Sequence, residues 1–189
     1  VLHQVDADLS SGLLPDGVGI SVNLSAQSIS RPEVVSHLLE LSRHGVRHPL
    51  MLEITETSLI TQMVEVSTYL ELLRTVNYRI AMDDFGTGYS PLRYLVDLPV
   101  DVVKFDISLV NKLGQDNRAG QVVADFARMM SEAGYSLVAE GVETETVLCK
   151  VESLGIAHAQ GYLLGRPVPL TELAASLTRT PAPHALPDA

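Results

Sequence analysis

Six short apolar runs constrain this chain most: each closes on a polar side chain, and helical patterns separate them. They cover residues 19–25, 50–56, 80–84, 101–106, 136–143 and 158–163. The polar ends fall at Asn23, Glu53, Asp83, Lys104, Glu140 and Gln160, at intervals of 30, 30, 21, 36 and 20 residues. A strand-plus-helix unit takes about 30 residues, so the recurrence is architectural; no local sequence repeat accompanies it. Apolar periodicity predicts helices over residues 1–14, 32–44, 62–76, 91–95, 117–133, 144–154 and 170–177, with Gly45 stopping the second. Near-continuous apolar strands between helices imply a parallel sheet covered on both faces. An open doubly wound sheet and a (β/α) barrel both satisfy this. Six polar tips at the same strand end favour the barrel, whose strand C-termini all face one mouth. An open sheet would gather only the tips near its switch point.

The chain has 189 residues, 46% of them hydrophobic, enough for one sizeable core. Residues 1–178 read as one domain and 179–189 as a Pro-rich tail expected to fray. A net charge of −10 argues against a groove for nucleic-acid polymers. An acidic chain can still take a small phosphorylated ligand if metal ions bridge the like charges. The lone Cys149 excludes an internal disulfide, fits a reducing compartment and reads as a packing residue within a helical pattern. No apolar run approaches the roughly 20 residues of a membrane span, so a cytoplasmic location is expected. The first residue is Val1 rather than Met, so the chain reads as part of something longer.

Asn23, Glu53, Asp83, Asp84, Lys104, Asp106, Glu140, Glu143 and Gln160 would meet at the mouth of a barrel. Neighbouring strand residues point to opposite faces, so Asp83 and Asp84 can share a site only where the pleat relaxes. Two close carboxylates repel unless a cation sits between them, and hard oxygen donors suit Mg²⁺ or Mn²⁺. A pair of such ions about 3.5–4 Å apart could support in-line phosphoryl displacement. The plainer alternative is a solvated Asp-Asp-Phe-Gly turn. Lys104 could orient a water or offset phosphate charge, or simply pair with a neighbouring acid. Gln160 could serve the site or bond loop backbone. No His shows the paired spacing of a zinc hydrolase. Ser25 and Ser90 lack the Gly-x-Ser-x-Gly of a nucleophile elbow, and 86–91 lacks the pattern of a nucleotide-binding loop.

Six motifs occur in order: Val22-Asn23-Leu24-Ser25, Glu53-Ile54-Thr55-Glu56, Asp83-Asp84-Phe85-Gly86-Thr87-Gly88-Tyr89-Ser90, Lys104-Phe105-Asp106, Ala139-Glu140-Gly141-Val142-Glu143-Thr144 and Gln160-Gly161-Tyr162. Across about residues 18–169 the set resembles the EAL domain, a family of bacterial cyclic-di-GMP phosphodiesterases. The resemblance implies a TIM-like barrel and hydrolysis of one phosphodiester of cyclic di-GMP to linear pGpG with Mg²⁺ or Mn²⁺. It implies Asn23, Glu53, Asp83, Asp84 and Glu140 as metal ligands, Glu140 doubling as a general base. Lys104 would contact the attacking water, with Gln160 assisting. Asp106 and Glu143 would be supporting acids. Glu56 would anchor the loop of Phe85, Gly86, Thr87, Gly88, Tyr89 and Ser90, which would couple substrate, metal and dimer contacts. A homodimer and fused sensor or cyclase domains are further implications.

The Glu-Ala-Leu triplet that names the family, and the Arg that follows it, do not occur in these residues; 172–174 reads Glu-Leu-Ala. A (β/α)₈ barrel typically needs about 250 residues. The expectation is therefore about six parallel strands with roughly the first two absent, and weak or no turnover by this polypeptide alone. A module that binds cyclic di-GMP without cleaving it, or one used for dimerisation or interaction, is the second reading. An unrelated barrel metallohydrolase is a third.

Overall fold

The computed structural model describes residues 1–55, 63–87 and 95–177. Glu56, Gly88, Tyr89, Ser90, most of the short helix expected after Pro91 and the Pro-rich tail lie outside the described residues. Six strands form one parallel sheet in sequential order: β1 Ile20–Asn23, β2 Leu50–Thr55, β3 Tyr78–Phe85, β4 Val102–Phe105, β5 Ser136–Ala139 and β6 His158–Ala159. Helix α1 (Leu2–Ser10) precedes β1. The crossovers carry α2 (Ala26–Ile29), α3 (Pro32–Leu41), α4 (Met63–Thr75), α5 (Ile107–Leu113), α6 (Arg118–Glu132) and α7 (Glu145–Ser153), and α8 (Leu170–Leu177) follows β6.

The sheet curls. Strands β2 and β5 are three spacings apart, about 14 Å in a flat sheet. Yet Glu53 on β2 and Glu140 just beyond β5 both reach Lys104 Nζ on β4 at 2.7 Å. The curl gathers these side chains over the concave face, as the expected barrel architecture requires.

Parallel pairing keeps register partners on one face. Val22, Leu52, Ile80, Val103 and Leu137 share the convex face with Ile54, Met82, Phe105 and Ala139, and all are buried under the helices. The concave face carries Ser21, Asn23, Glu53, Thr55, Arg79, Asp83, Lys104 and Ser136, interspersed with Met51, Ala81, Val102 and Val138. The convex side is packed under the helices, and the polar side chains of the strands gather on the concave side. Helix α6 shows how the core is closed. Asn117 Oδ1 accepts from Gly120 N at 3.0 Å, capping the helix. Its face Val123, Ala124, Ala127 and Met130 is buried, while Val122 and Met129 point outward.

Strand β3 contains the main irregularity. Its register with β4 shifts between Met82 and Phe85, and Asp84 lies at φ 55°. This is a β-bulge. Simple alternation from Asp83 would turn Phe85 into the concave face. The extra residue returns it to the convex face, opposite Phe105, where Phe85, Phe105 and Phe126 stack with centroids 5.5–6.1 Å apart. The relaxed pleat that two adjacent acids need is this bulge.

Several expectations are corrected. β5 ends at Ala139 and β6 at Ala159, shorter than the predicted runs. Gly161 lies so close to the other chain segment that a Cβ would sit 2.2–2.3 Å from Val142 O and N; two backbones touch there, and pairing gives way to a turn. Helix α3 stops at Leu41 and tightens into a 3₁₀ turn, Ser42–Val46, that contains Gly45 rather than ending before it. The Ser42 hydroxyl takes up the Leu39 carbonyl at 2.7 Å, one of the orphan acceptors of the helix end. Helices α2 and α5 were not anticipated. Cys149 is exposed, because α7 buries Val151 and half-buries Val147 and Leu148 on the opposite side.

Phe105 is fully buried at the centre of the aromatic stack. Phe105→Ala is expected to lower unfolding stability by about 3–5 kcal/mol, the usual cost of such a cavity. Urea denaturation followed by circular dichroism measures it, and a loss under about 1 kcal/mol would contradict the packing described.

Candidate functional site

Lys104 is the hub of the concave rim. Its Nζ lies 2.7 Å from Glu53 Oε2, 2.8 Å from Asp83 Oδ1 and 2.7 Å from Glu140 Oε1. The lysine side chain is 4% exposed and its three partners are at most 14% exposed. Gln160 Nε2 donates to Glu140 Oε1 at 2.6 Å, so it serves the acid rather than loop backbone. The Ser21 hydroxyl donates to Glu53 Oε1, the oxygen Lys104 leaves free.

These contacts follow from the fold. Register aligns Asn23 with Glu53, and Thr55 with Asp83, on the same face. Asn23 stands exposed at the end of β1. Asp84 is turned by the bulge, and oxygens of Asp83, Asp84 and Glu140 lie within 4.8 Å of one another. Gly86, at φ 109°, has Leu109 against the position a Cβ would take, 2.4 Å away, so glycine alone suits the turn after the acids. Phe85 belongs to the core, and Thr87 returns its hydroxyl to the Asp84 carbonyl at 2.9 Å.

Not every acid joins the cluster. Asp106 caps α5, its Oδ1 accepting from Ser108 N at 2.8 Å, and its charge faces Asp84. Glu143 is exposed and lines an adjoining cleft of about 690 Å³ with Gln160, Tyr162 and Arg166. There the Arg166 guanidinium lies 4.2 Å from the Tyr162 ring centroid. Ser25 accepts from Ser28 N at the start of α2, a capping role. Sequence reasoning missed Ser21. Its signal was spacing alone: two residues before Asn23, hence on the same strand face.

Electrostatics follow from crowding. Burial raises the Glu140 pKa above the ordinary carboxylate value; Lys104 pulls it back and the Asp83 and Glu53 charges push it up further. Asp84 is also raised, by burial and then by the charges of Asp83 and Asp106. Burial alone would lower the Lys104 pKa, but its bonds to Asp83, Glu140 and Glu53 outweigh that and hold it above the usual lysine value. The ammonium stays charged at every physiological pH. The oxygens accommodate the positive charge of Lys104, and carboxylates are donors that suit a hard divalent ion.

The EAL domain family matches residues 1–167. The bifunctional diguanylate cyclase/cyclic di-GMP phosphodiesterase MucR of Pseudomonas aeruginosa is 37% identical over 160 residues, which is 84% of this chain but 23% of MucR. The chain thus spans about a quarter of that relative's length. The crystal structure of the EAL domain of Mycobacterium smegmatis DcpA superposes with a TM-score of 0.81 at 31% identity, covering 96% of this chain and 82% of that one. A manganese/cyclic-di-GMP complex of Klebsiella pneumoniae BlrP1 superposes at 0.77 and 33% identity, covering 88% of this chain and 44% of that one.

Removing the hub charge leaves three buried acids facing one another. Lys104→Met is expected to destabilise the metal-free protein by about 3–5 kcal/mol at neutral pH, the cost of breaking a buried pair from one side. The sign with pH follows. Uncompensated acids have raised folded-state pKa values, so the folded state binds protons more tightly than the unfolded one. The loss therefore shrinks as pH falls through the carboxylate range. Urea titrations at pH 7 and pH 4.5 check both parts.

Proposed function

The chain belongs to the EAL domain family, and we propose that it is the hydrolytic part of a cyclic-di-GMP phosphodiesterase, opening one phosphodiester to give linear pGpG. The observation that carries this reading is the convergence of Glu53, Asp83 and Glu140 on one ammonium, with Asp84 alongside. Asn23, Glu53, Asp83, Asp84 and Glu140 are the residues that would hold divalent cations, Mg²⁺ or Mn²⁺; manganese in the BlrP1 complex supports that choice. When bound, such ions would supply an activated water and electrostatic stabilisation of the charge that develops on the phosphoryl oxygens.

The protein groups do the remaining work. Glu140 is the general base: burial raises its pKa above the ordinary carboxylate value and Gln160 steadies Oε1. Lys104, once relieved of part of its carboxylate load, would turn Nζ towards the attacking water or a phosphate oxygen. The water oxygen bonds to phosphorus, its proton passes to Glu140, and the bond from phosphorus to the ribose oxygen breaks, the departing oxygen taking a proton from solvent to leave as a hydroxyl. The cleft beside Gln160 has room for a nucleotide base, with Tyr162 and Arg166 as a stacking surface. Asp106 and Glu143 would support the rim, Glu56 would anchor the loop that follows Phe85, and Gly86, Thr87, Gly88, Tyr89 and Ser90 of that loop would join it to a second protomer, Phe85 itself being held in the core. Fusion to a sensor or cyclase domain would fit this part; the pairing of a cyclase with a phosphodiesterase in MucR supports the cyclase alternative.

Incubating the protein with Mn²⁺ and cyclic di-GMP, and following pGpG by chromatography, tests the reading. Asp83→Asn is expected to lower turnover by more than about 100-fold, beyond the 10–100-fold typical of disturbing an outer partner. The 189-residue polypeptide contains no Glu-Ala-Leu triplet. It should therefore turn over well below a longer polypeptide that carries one; equal rates would refute that part. Tight ligand binding without product in both would instead select the binding-module reading.

A further inference from the structure

We propose that Ser21 is a positioning residue for Glu53, and through it for divalent-cation binding at this rim. The inference rests on the metal-site reading above and adds a residue to it. Glu53 is 6% exposed, so both of its oxygens need partners within the protein. Lys104 supplies one to Oε2 and the Ser21 hydroxyl supplies the other to Oε1. The two donors approach from different strands, β4 and β1. Together they fix the carboxylate plane. Lys104 alone would leave Glu53 free to rotate about its terminal torsion, which is broad for a carboxylate.

The arrangement is built by register. Asn23 pairs with Glu53, and Ser21 lies two residues earlier on the same face, below the acid. Val22 between them is buried in the convex core, which locks the strand's facing. Ser21 itself is exposed and closes no cavity. Its hydroxyl thus has an electrostatic task and little packing task. In a metal site, a donor that holds a ligating carboxylate typically matters by 10–100-fold in affinity or activity.

Calorimetric titration of the protein with Mn²⁺ alone tests this, with Ser21→Ala and Ser21→Thr beside wild type. Ser21→Ala should weaken Mn²⁺ binding by about 10-fold or more while leaving the far-ultraviolet circular dichroism spectrum of the folded protein unchanged. Ser21→Thr keeps the hydroxyl on a residue suited to strands and should restore affinity. An affinity for Ser21→Ala within about twofold of wild type, or a Thr variant as weak as the Ala variant, overturns the proposal. A second readout needs no metal: the ¹³C resonance of the Glu53 carboxylate should move in Ser21→Ala and return in Ser21→Thr. If wild type takes up no Mn²⁺, the metal-site reading fails by itself. The resonance then decides the inference, and an unmoved signal in Ser21→Ala ends it.

Discussion

One buried ammonium lets three acids live within reach of each other. Glu53, Asp83 and Glu140 arrive from three different strand ends and would repel strongly in so dry a place. Lys104 screens them, and burial of an ion pair is no guarantee of stability in itself. Its larger consequence is geometric: it holds the acids of three strands in one place. The screening is also incomplete. Three ionised carboxylates against one ammonium leave a net −2, the charge that a single divalent ion balances.

The strand framework was legible because a parallel sheet with helices outside writes itself as apolar runs at regular intervals. The polar tips were legible for the complementary reason: a charged residue at the end of such a run has nowhere to go but the rim. Membership of the EAL family was legible from motif order, and the family match bears it out. The architecture follows, with six parallel strands bent around a concave face.

What escaped the sequence had local causes. Helices α2 and α5 are short turns started by the side chains of Ser25 and Asp106, too brief for periodicity to register. The ends of β5 and β6 are set by two backbones meeting at Gly161 and Val142, a contact between distant residues. Cys149 was misjudged because an apolar neighbour in a helix does not fix which side faces water. Ser21 carries no chemical signature; only its hydroxyl's reach across to Glu53 gives it meaning. Among the described residues no helix is long and apolar enough to cross a membrane.

The bulge at Asp84 makes the length of β3 as important as its composition. An even–odd rule governs every other strand, and here one surplus residue reverses it between Asp83 and Phe85. Losing that residue would swing the aromatic ring out of its stack and into the acids' side of the sheet; gaining another would do the same. Insertions and deletions are commonly absorbed by surface loops. At this point they are not, so the spacing from Met82 to Phe85 should tolerate exchange of letters far better than any change in their number.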